Sequence, residues 1–432
     1  MSQIWVKDGL FATMQQDVKL LEGHMVVTDN MISYIGAEAP VELQEDVEIV
    51  SGKGLVFMPG LINTHGHIAM SLLRGFADDL NLQVWLEQHM WPMEAKYIEA
   101  DTRSGSALSI AEMLLSGTTT FVDMYDRMDI VANEVEKSGI RGWLMRGCIG
   151  FGSDEEKAAK LNESIQFVKN WNNKADGRIK TMLAPHAPYT CDPAFISRFI
   201  EASHDLQVPL HTHMSESKAE VEQNVRDYGK RPVQHLYDLG FFDGKALVAH
   251  AVHLTDEEIT MLAEKQVSVS HNPISNLKLA SGVARVPELL KAGVKVGLGT
   301  DSSASNNNLD LFEEIRMTAL IHKGISYDPV VVPAFQALQL ATSLGAQSLW
   351  SESEIGTLEV GKKADFIAIN IDQPHFFPRT DLISHLAYSA NGRDVQHVWV
   401  DGKQLVKNRE LLTMDYEKIC YEAQASYERL KL

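Results

Sequence analysis

Short apolar runs alternate along the middle of the chain with longer stretches in which apolar residues recur at helical spacing. Apolar strands followed by helical crossovers are typical of a parallel sheet covered on both faces. The pattern predicts eight such strands, over residues 55–63, 118–122, 142–145, 179–184, 208–211, 246–249, 267–270 and 294–298. Eight strand–helix units predict an α/β fold, a (β/α)8 barrel of the TIM type, although a doubly wound open sheet has the same period.

Both ends of the chain carry the shorter, turn-punctuated pattern of β-structure. Residues 25–36 indicate a hairpin that turns at Asp29-Asn30, and Asp401-Gly402 is a strong hairpin-turn signal. From about Asp415 the apolar spacing predicts a surface helix. We predict that residues 1–57 and 356–432 build one small β-sandwich domain with a terminal helix, beside a barrel over 58–355. Two separate β-extensions are the alternative.

Composition and charge narrow the classes of function. The chain has 45% hydrophobic and 22% charged residues, a balance typical of soluble globular proteins. Its net charge of −19 disfavours binding to nucleic acid or to an anionic membrane. Three cysteines do not make a disulfide framework, and neither a signal peptide nor a long apolar run is evident. We expect a cytoplasmic protein; its oligomeric state stays open, with a homo-oligomer considered.

A polar or ionisable residue follows each predicted strand. In a barrel these strand ends meet on one face, where such folds carry their chemistry. The residues concerned are His65 and His67, Asp123, Arg146, His186, His213, His250, His271 and Asp301. If they were core residues instead, each would need its own buried hydrogen-bonding partner.

His65 and His67 form a His-x-His pair, a weak metal signal when taken alone. Residues two apart in a strand point to the same side, so both imidazoles can reach one cation. The signal strengthens when His213 and Asp301 are added from two further strand ends. Three neutral nitrogens and one carboxylate suit Zn2+ best, and they also suit Fe2+ or Mn2+.

Other ionisable residues near these ends are candidates for catalysis. Glu216, three residues past His213, could move protons beside a metal. A solvated glutamate at a helix start is the ordinary alternative for it. His186 and His250 are single histidines, a type that is often packed and structural, and only their strand-end positions favour function.

The motifs resemble those of the amidohydrolase superfamily across nearly the whole chain. The resemblance rests on residues 57–67, His213, His250 and the segment 297–303. Three further stretches resemble the branch that deaminates adenine nucleosides, at residues 72–94, 270–279 and 301–307. Two-metal members present a lysine at the end of strand four, where this chain has Leu183-Ala184-Pro185-His186.

The resemblance implies a metal-dependent hydrolase with one divalent ion, held by His65, His67, His213 and Asp301. It implies a small nucleoside substrate: 5′-methylthioadenosine, S-adenosylhomocysteine or adenosine. For binding, the resemblance implies that Glu94 contacts the ribose and that the substrate is also contacted by His186, Arg146 and Trp85. For catalysis, it implies that Asp301 is the base, that His250 orients the attacking water and that Glu216 protonates the ring. An ion pair for Arg146 and a core role for Trp85 are open alternatives.

Two other functions compete with this interpretation. On the same scaffold, the substrate could be guanine, a pterin or a triazine, none of which has a ribose for Glu94 to bind. A barrel without catalysis, serving as an interaction protein, is the alternative from a different class. All four expected ligand positions and Glu216 are present, which disfavours it.

Overall fold

The computed structural model describes residues 2–432 of the chain. Strands alternate with helices through the middle and follow one another at both ends, as the sequence pattern predicts. In chain order the strands are β1 (Gln3–Ala12), β2 (Leu20–Thr28), β3 (Met31–Gly36), β4 (Glu48–Ser51), β5 (Leu55–Pro59), β6 (Leu61–Asn63), β7 (Thr118–Tyr125), β8 (Arg141–Cys148), β9 (Ile179–Thr181), β10 (Ala184–Pro185), β11 (Leu210–Met214), β12 (Ala246–His250), β13 (Ser268–His271), β14 (Lys295–Leu298), β15 (Phe366–Asn370), β16 (Val395–Val400), β17 (Lys403–Lys407) and β18 (Glu410–Leu411).

Many helices begin at a side chain that accepts from the first turn, such as Ser153, Asp192 and Thr255. The α-helices are α1 (Leu82–Val84), α2 (Trp91–Glu94), α3 (Glu99–Leu115), α4 (Met128–Ser138), α5 (Asp154–Trp171), α6 (Pro193–Leu206), α7 (Lys218–Tyr228), α8 (Pro232–Asp238), α9 (Asp256–Glu264), α10 (Pro273–Lys278), α11 (Val286–Lys291), α12 (Ser303–Asn306), α13 (Leu311–Ser326), α14 (Ala334–Leu340), α15 (Ser343–Ser348), α16 (Leu382–Tyr388) and α17 (Tyr416–Leu430). A π-helical segment, Trp85–Met90, separates α1 from α2.

Strands β6 to β14 form the predicted barrel. Every pairing among them is parallel, within one group from β6 to β10 and a second from β11 to β14. A bridge between Leu183 and Leu210 joins the groups on one side. On the other side, the Thr64 N–H donates to the Leu298 carbonyl at 2.8 Å. The barrel prediction is therefore confirmed, and the carboxyl ends of its strands meet on one face.

The first predicted strand is wrong in one respect, because residues 55–63 form two strands. Strand β5 pairs with β1 and β15 in the terminal domain, whereas β6 pairs with β7 in the barrel. The chain passes between them at Gly60, where an added Cβ would lie 2.1 Å from Thr119 Oγ1. Such a close approach requires glycine, and this local break has no signature in hydrophobic periodicity.

Strands from both ends of the chain combine into one sheet, as predicted. Its order is β18-β17-β16-β15-β5-β1-β2-β3, with β4 beside β1, so a C-terminal strand pairs directly with an N-terminal one. Both predicted hairpins are present, at Asp29-Asn30 and Asp401-Gly402. Side chains from both ends share a small separate core, which includes Phe11, Phe57, Phe366 and Trp399.

The predicted terminal helix is α17, which begins after its capping residue Asp415. It packs mainly on α3 of the barrel. Arg429 pairs with the buried Asp101, and Ser426 Oγ lies 2.9 Å from Ser104 Oγ. The end of the chain thus returns to the barrel and packs beside the helices that border its mouth. Within residues 2–432, none of the helices combines the length and the apolar character of a membrane span.

Candidate metal centre and active-site cavity

A cavity of about 390 Å3 opens at the face where the barrel strands end. Its wall includes most of the residues that the sequence analysis singled out. Those on the wall are His67, Trp85, Glu94, His186, His213, Glu216, His250 and Asp301. His65 lies deeper and has no exposed surface. The predicted convergence of strand ends is thus seen in the structure, while the chemical role of each residue stays a prediction.

At the floor of the cavity, histidine nitrogens and a carboxylate oxygen converge. His213 Nε2 lies 3.3 Å from His67 Nε2, and Asp301 Oδ1 lies 3.6 Å from His65 Nε2 and 3.3 Å from His67 Nε2. Two overlapping groups have ligand atoms within 4.8 Å of one another: His65, His67 and His213, and His65, His250 and Asp301. His65 Nε2 is buried and has no hydrogen-bond partner in the described chain.

The opposite ring nitrogens of two of these histidines contact main-chain carbonyls. His67 Nδ1 lies 2.6 Å from the Met124 carbonyl, and His213 Nδ1 lies 2.9 Å from the His186 carbonyl. A carbonyl can only accept, so each Nδ1 carries the proton in the neutral ring and each Nε2 keeps a lone pair. This fixing of the tautomer by an outer partner is typical of metal-binding histidines.

His65 reaches the same tautomer through a second histidine. His211 Nδ1 donates to the Leu247 carbonyl at 2.9 Å, which leaves His211 Nε2 as an acceptor. His65 Nδ1 lies 3.1 Å from that nitrogen and must donate to it. The unpartnered His65 Nε2 is therefore a lone pair aimed at the convergence point. The donor set fits a divalent metal of the zinc type.

Burial keeps most of these rings neutral, which metal ligation requires. It lowers the pKa of both His65 and His213 well below the ordinary value. Burial also acts to lower the pKa of His67, but the hydrogen bond to Asp301 outweighs it and raises that pKa to about 9. A metal that binds here must therefore displace a proton from His67.

Two features of Asp301 suggest a constrained position: hydrogen bonds to its carboxylate and an unusual backbone conformation. Its Oδ2 accepts from Ser275 Oγ at 2.6 Å and from Ser305 Oγ at 2.8 Å, which directs Oδ1 toward the histidines. Asp301 and His250 both have positive φ, at 59° and 74°. Non-glycine residues in this region carry strain, which is a common property of functional sites.

Glu216 and His250 lie beside each other at the cavity floor. Glu216 Oε2 lies 3.6 Å from His250 Nε2, and Glu216 Oε1 is buried without a partner in the described residues. Burial raises the pKa of Glu216, which favours the protonated form that can donate. His250 Nδ1 lies 2.8 Å from Asn276 Oδ1 and donates to it, so its Nε2 is an acceptor.

Three predicted substrate contacts lie farther up the wall. Glu94 accepts from the Tyr125 hydroxyl at 2.6 Å, and burial raises the pKa of its carboxyl. His186 Nδ1 lies 2.9 Å from Thr190 Oγ1, and burial lowers the pKa of this histidine to about 3. Trp85 is 5% exposed and belongs both to a core cluster and to the wall, so it combines the two roles that the sequence left open.

Arg146 is the predicted contact that the structure does not bring to the cavity. Its guanidinium lies 3.0 Å from Asp126 Oδ1 and 2.7 Å from Glu163 Oε2. It also donates to the Lys160 carbonyl at 3.3 Å. This geometry matches the alternative considered for Arg146, a structural ion pair. Its substrate contact remains an untested prediction.

Sequence reasoning missed Arg127, Tyr125 and Tyr189, which all line the cavity. Arg127 has a positive φ of 51° and donates from Nη2 to the Tyr97 carbonyl at 2.9 Å. Tyr125 ends the extended strand β7, two residues past Asp123, and this position was the available signal. Neither Arg127 nor Tyr189 stands in a motif or in a periodic pattern that could have identified it.

Comparison with known proteins identifies the family. The model of the amidohydrolase family matches residues 56–405, which is most of the chain. The chain belongs to the amidohydrolase family. Membership confirms the resemblance, and it makes this amidohydrolase an enzyme rather than a barrel without catalysis.

The amidohydrolase has close relatives over its full length. It is 48% identical over 431 residues to the 5-methylthioadenosine/S-adenosylhomocysteine deaminase of Caldanaerobacter subterraneus, with 98% of each chain covered. It is 47% identical over 432 residues to the 5'-deoxyadenosine deaminase of Methanosarcina acetivorans, with 100% of this chain and 99% of that one covered.

Solved structures confirm the architecture. A zinc-bound adenosine deaminase from Xanthomonas campestris superimposes with a TM-score of 0.94 at 35% identity, covering 100% of this chain and 99% of the other. A zinc-complexed atrazine chlorohydrolase from Arthrobacter aurescens has a TM-score of 0.90 at 24% identity, covering 98% and 100%. At that identity the second likeness bears on the fold alone.

Proposed function

We propose that this amidohydrolase deaminates adenine nucleosides in a metal-dependent hydrolysis, converting the adenine to hypoxanthine and releasing ammonia. The observation that carries the proposal is the cavity floor, where converging Nε2 lone pairs lie beside a buried Glu216 with a free Oε1. The full-length relatives named as deaminases of 5-methylthioadenosine, S-adenosylhomocysteine and 5'-deoxyadenosine support the choice of substrate.

We further propose that His65, His67, His213 and Asp301 hold one Zn2+ ion. The alternatives on chemical grounds are Fe2+ and Mn2+. When bound, such an ion supplies Lewis acidity that lowers the pKa of a coordinated water toward about 7. A cytoplasmic location and self-association remain predictions.

The chain's own residues divide the proton transfers among them. Asp301 accepts the proton that water loses as it attacks the amino-bearing carbon. His250 orients that water through its Nε2, which the Asn276 contact leaves as an acceptor. Glu216 donates from its protonated carboxyl to the adjacent ring nitrogen, so negative charge does not build up on the purine. The C–N bond then breaks: the protonated Asp301 gives its proton to the amine, which leaves as ammonia, and the new hydroxyl becomes the carbonyl as its proton returns to Glu216.

Glu94 favours a nucleoside over a free base or a triazine. Its Oε1 accepts from the Tyr125 hydroxyl, and its Oε2 has no partner among the described residues. A carboxylate oxygen on a cavity wall suits a pair of ribose hydroxyls, which are hydrogen-bond donors. Trp85 offers an aromatic face against which the adenine can pack.

Arg127 is a candidate contact for the 5′ substituent of the substrate. It is the one guanidinium on the described cavity wall, and no lysine joins it there. Its Nη1 and Nε make no hydrogen bonds to other described residues, whereas the Arg146 guanidinium is paired with two acidic side chains. If S-adenosylhomocysteine is a substrate, Arg127 is the better placed partner for its carboxylate.

The test is a turnover assay on zinc-loaded protein with the substrates 5′-methylthioadenosine, S-adenosylhomocysteine, 5′-deoxyadenosine and adenosine. Ultraviolet absorbance follows the conversion of adenine to hypoxanthine, and an ammonia assay checks it. Turnover with stoichiometric ammonia supports the proposal and ranks the substrates. No turnover of any adenine nucleoside at full metal occupancy would overturn it and direct attention to guanine, pterins or triazines.

A further inference from the structure

Glu220 is a buried carboxylate that the proposed reaction does not use. It lies in the first turn of α7 and is 1% exposed. No arginine, lysine or histidine in the described chain forms an ion pair with it. A buried carboxylate without a cation is costly unless hydrogen bonds replace its hydration. The identity of those hydrogen bonds shows what Glu220 holds.

Both carboxylate oxygens of Glu220 accept from the main chain of one turn. Oε1 accepts from the Ser215 N–H at 2.7 Å, and Oε2 accepts from the Glu216 N–H at 2.7 Å. The second of these groups belongs to the residue that we assign as the proton donor. Glu220 therefore contacts the backbone of Glu216, while the Glu216 side chain faces the cavity.

The turn needs such support because its backbone is strained. Ser215 has a φ of 53°, a conformation that non-glycine residues rarely adopt. On its other side, the Ser215 carbonyl accepts from the N–H groups of Val252 and His253 at 3.1 and 3.0 Å. The loop after β12 thus holds the Ser215 carbonyl, and among residues 2–432 only Glu220 accepts from the N–H groups of Ser215 and Glu216.

We infer that Glu220 is a positioning residue, which fixes the backbone of Glu216 so that its carboxyl lies within reach of the substrate ring. This inference rests on the proposed function. Glu216 Oε1 has no hydrogen-bond partner among the described residues, and Oε2 lies 3.6 Å from His250 Nε2, so few side-chain contacts fix the carboxyl and its position depends largely on its backbone. A displacement of about 1 Å can lower a rate by roughly 100-fold when it affects a reacting group.

The test compares Glu220→Gln with Glu222→Gln, a matched change at an exposed position of the same helix. The glutamine side chain offers one acceptor oxygen where the turn presents two donors, so one hydrogen bond is lost. We expect kcat for 5′-methylthioadenosine to fall about 10- to 100-fold, with KM changed less than about threefold. Glu222→Gln should keep the parent values. Metal content and thermal melting are measured on each protein.

A double-mutant comparison separates positioning from general destabilisation. In protein that already carries Glu216→Gln, the Glu220→Gln change should lower kcat less than about twofold, because no proton donor remains to be positioned. An unchanged kcat in the parent background, or equal losses in both backgrounds, would overturn the inference. If Glu220→Gln does not fold, Glu220→Asp is judged by the same two results. Failure of the metal-loaded parent enzyme to deaminate any of the adenine nucleosides would instead refute the proposed function.

Discussion

The amidohydrolase buries ionisable groups in two regions and satisfies their hydrogen bonds differently. At the junction between barrel and terminal domain, Arg141 Nε and Nη2 donate to both oxygens of Asp365 at 2.8 and 3.0 Å. The Asp401 N–H donates to the same carboxylate at 2.7 Å. At the barrel mouth, by contrast, His65 Nε2, Glu216 Oε1 and Asp123 Oδ2 are buried without partners in the described chain.

This difference indicates that the junction contributes to stability and the mouth to function. A buried ion pair with all its hydrogen bonds made holds two parts of a chain together and offers nothing to a ligand. Buried atoms without partners destabilise the free protein unless a ligand completes them. At the mouth, the proposed metal and substrate would supply the missing partners, so changes in the two regions should have separable effects.

Removal of the metal should have the largest effect on the mouth. After treatment with a strong chelator, turnover should fall to background and return when Zn2+ is added. The secondary structure measured by circular dichroism should be retained, since the barrel core does not depend on the metal. Full activity in metal-free protein, verified by elemental analysis, would contradict the proposed centre.

Glu216→Gln should have the next largest effect, because the amide cannot protonate the ring. We expect kcat to fall about 10²- to 10⁴-fold, the usual contribution of general acid–base catalysis. Metal content and resistance to urea should match those of the parent. A metal-loaded variant with parental kcat would remove Glu216 from the mechanism.

Asp365→Ala should have the opposite effect to Glu216→Gln: it should lower the stability of the protein and leave catalysis unchanged. It removes the bidentate partner of the buried Arg141 and leaves only the Asp401 carboxylate, 3.5 Å from Nη2, so the free energy of unfolding should fall by up to about 3–5 kcal/mol. Urea unfolding measures this loss, while kcat at low temperature should stay within about twofold of the parent. As a control, Glu422→Gln removes one partner of an exposed pair with Lys418 and should leave the unfolding midpoint unchanged.

The two arginines near the mouth should differ in their effect on substrate preference. Arg127→Gln should raise KM for S-adenosylhomocysteine about 10- to 100-fold through loss of a charge-assisted hydrogen bond, with KM for 5′-methylthioadenosine unchanged. Arg146→Gln should leave both KM values near those of the parent. The opposite result would restore Arg146 as the substrate contact that the sequence predicts.

The smallest predicted effect is a dependence of stability on pH. Glu314 is fully buried beneath the short helices α10 and α12, which carry Ser275 and Ser305, and burial raises its pKa from 4.5 to about 8. Between these values the unfolded chain releases a proton that the folded chain keeps, so stability falls as pH rises. Glu314→Gln should reduce this slope between pH 5 and pH 8, as measured by urea unfolding. An unchanged slope would mean that Glu314 is ionised in the folded protein.

The sequence predicts much of the architecture because local patterns determine it. Strand periodicity locates the barrel, and the strand-end positions of His65, His67, His213 and Asp301 bring them together once the barrel closes. The break at Gly60 was missed, because it depends on a close approach to Thr119, which is distant in sequence.

The cavity wall was harder to predict than its floor. Arg146 follows a strand as the ligands do, yet Glu163 from α5 and Asp126 hold its side chain away from the cavity. Arg127 lines the cavity although no pattern identifies it. The role of Glu220 depends on two main-chain N–H groups in a strained turn, which residue types alone do not reveal.

The sheet built from both ends of the chain has a consequence for how the protein is made. Strand β5 pairs with β15, and Val56 faces Ile369 across that ladder. During synthesis the ribosome must release the whole barrel before β5 meets this neighbour, so one edge of the nascent N-terminal sheet stays open meanwhile. Open edges favour association between chains, and contacts between distant residues form slowly. The growing chain should therefore depend on chaperones most while the barrel is being translated, and least once β15 has emerged.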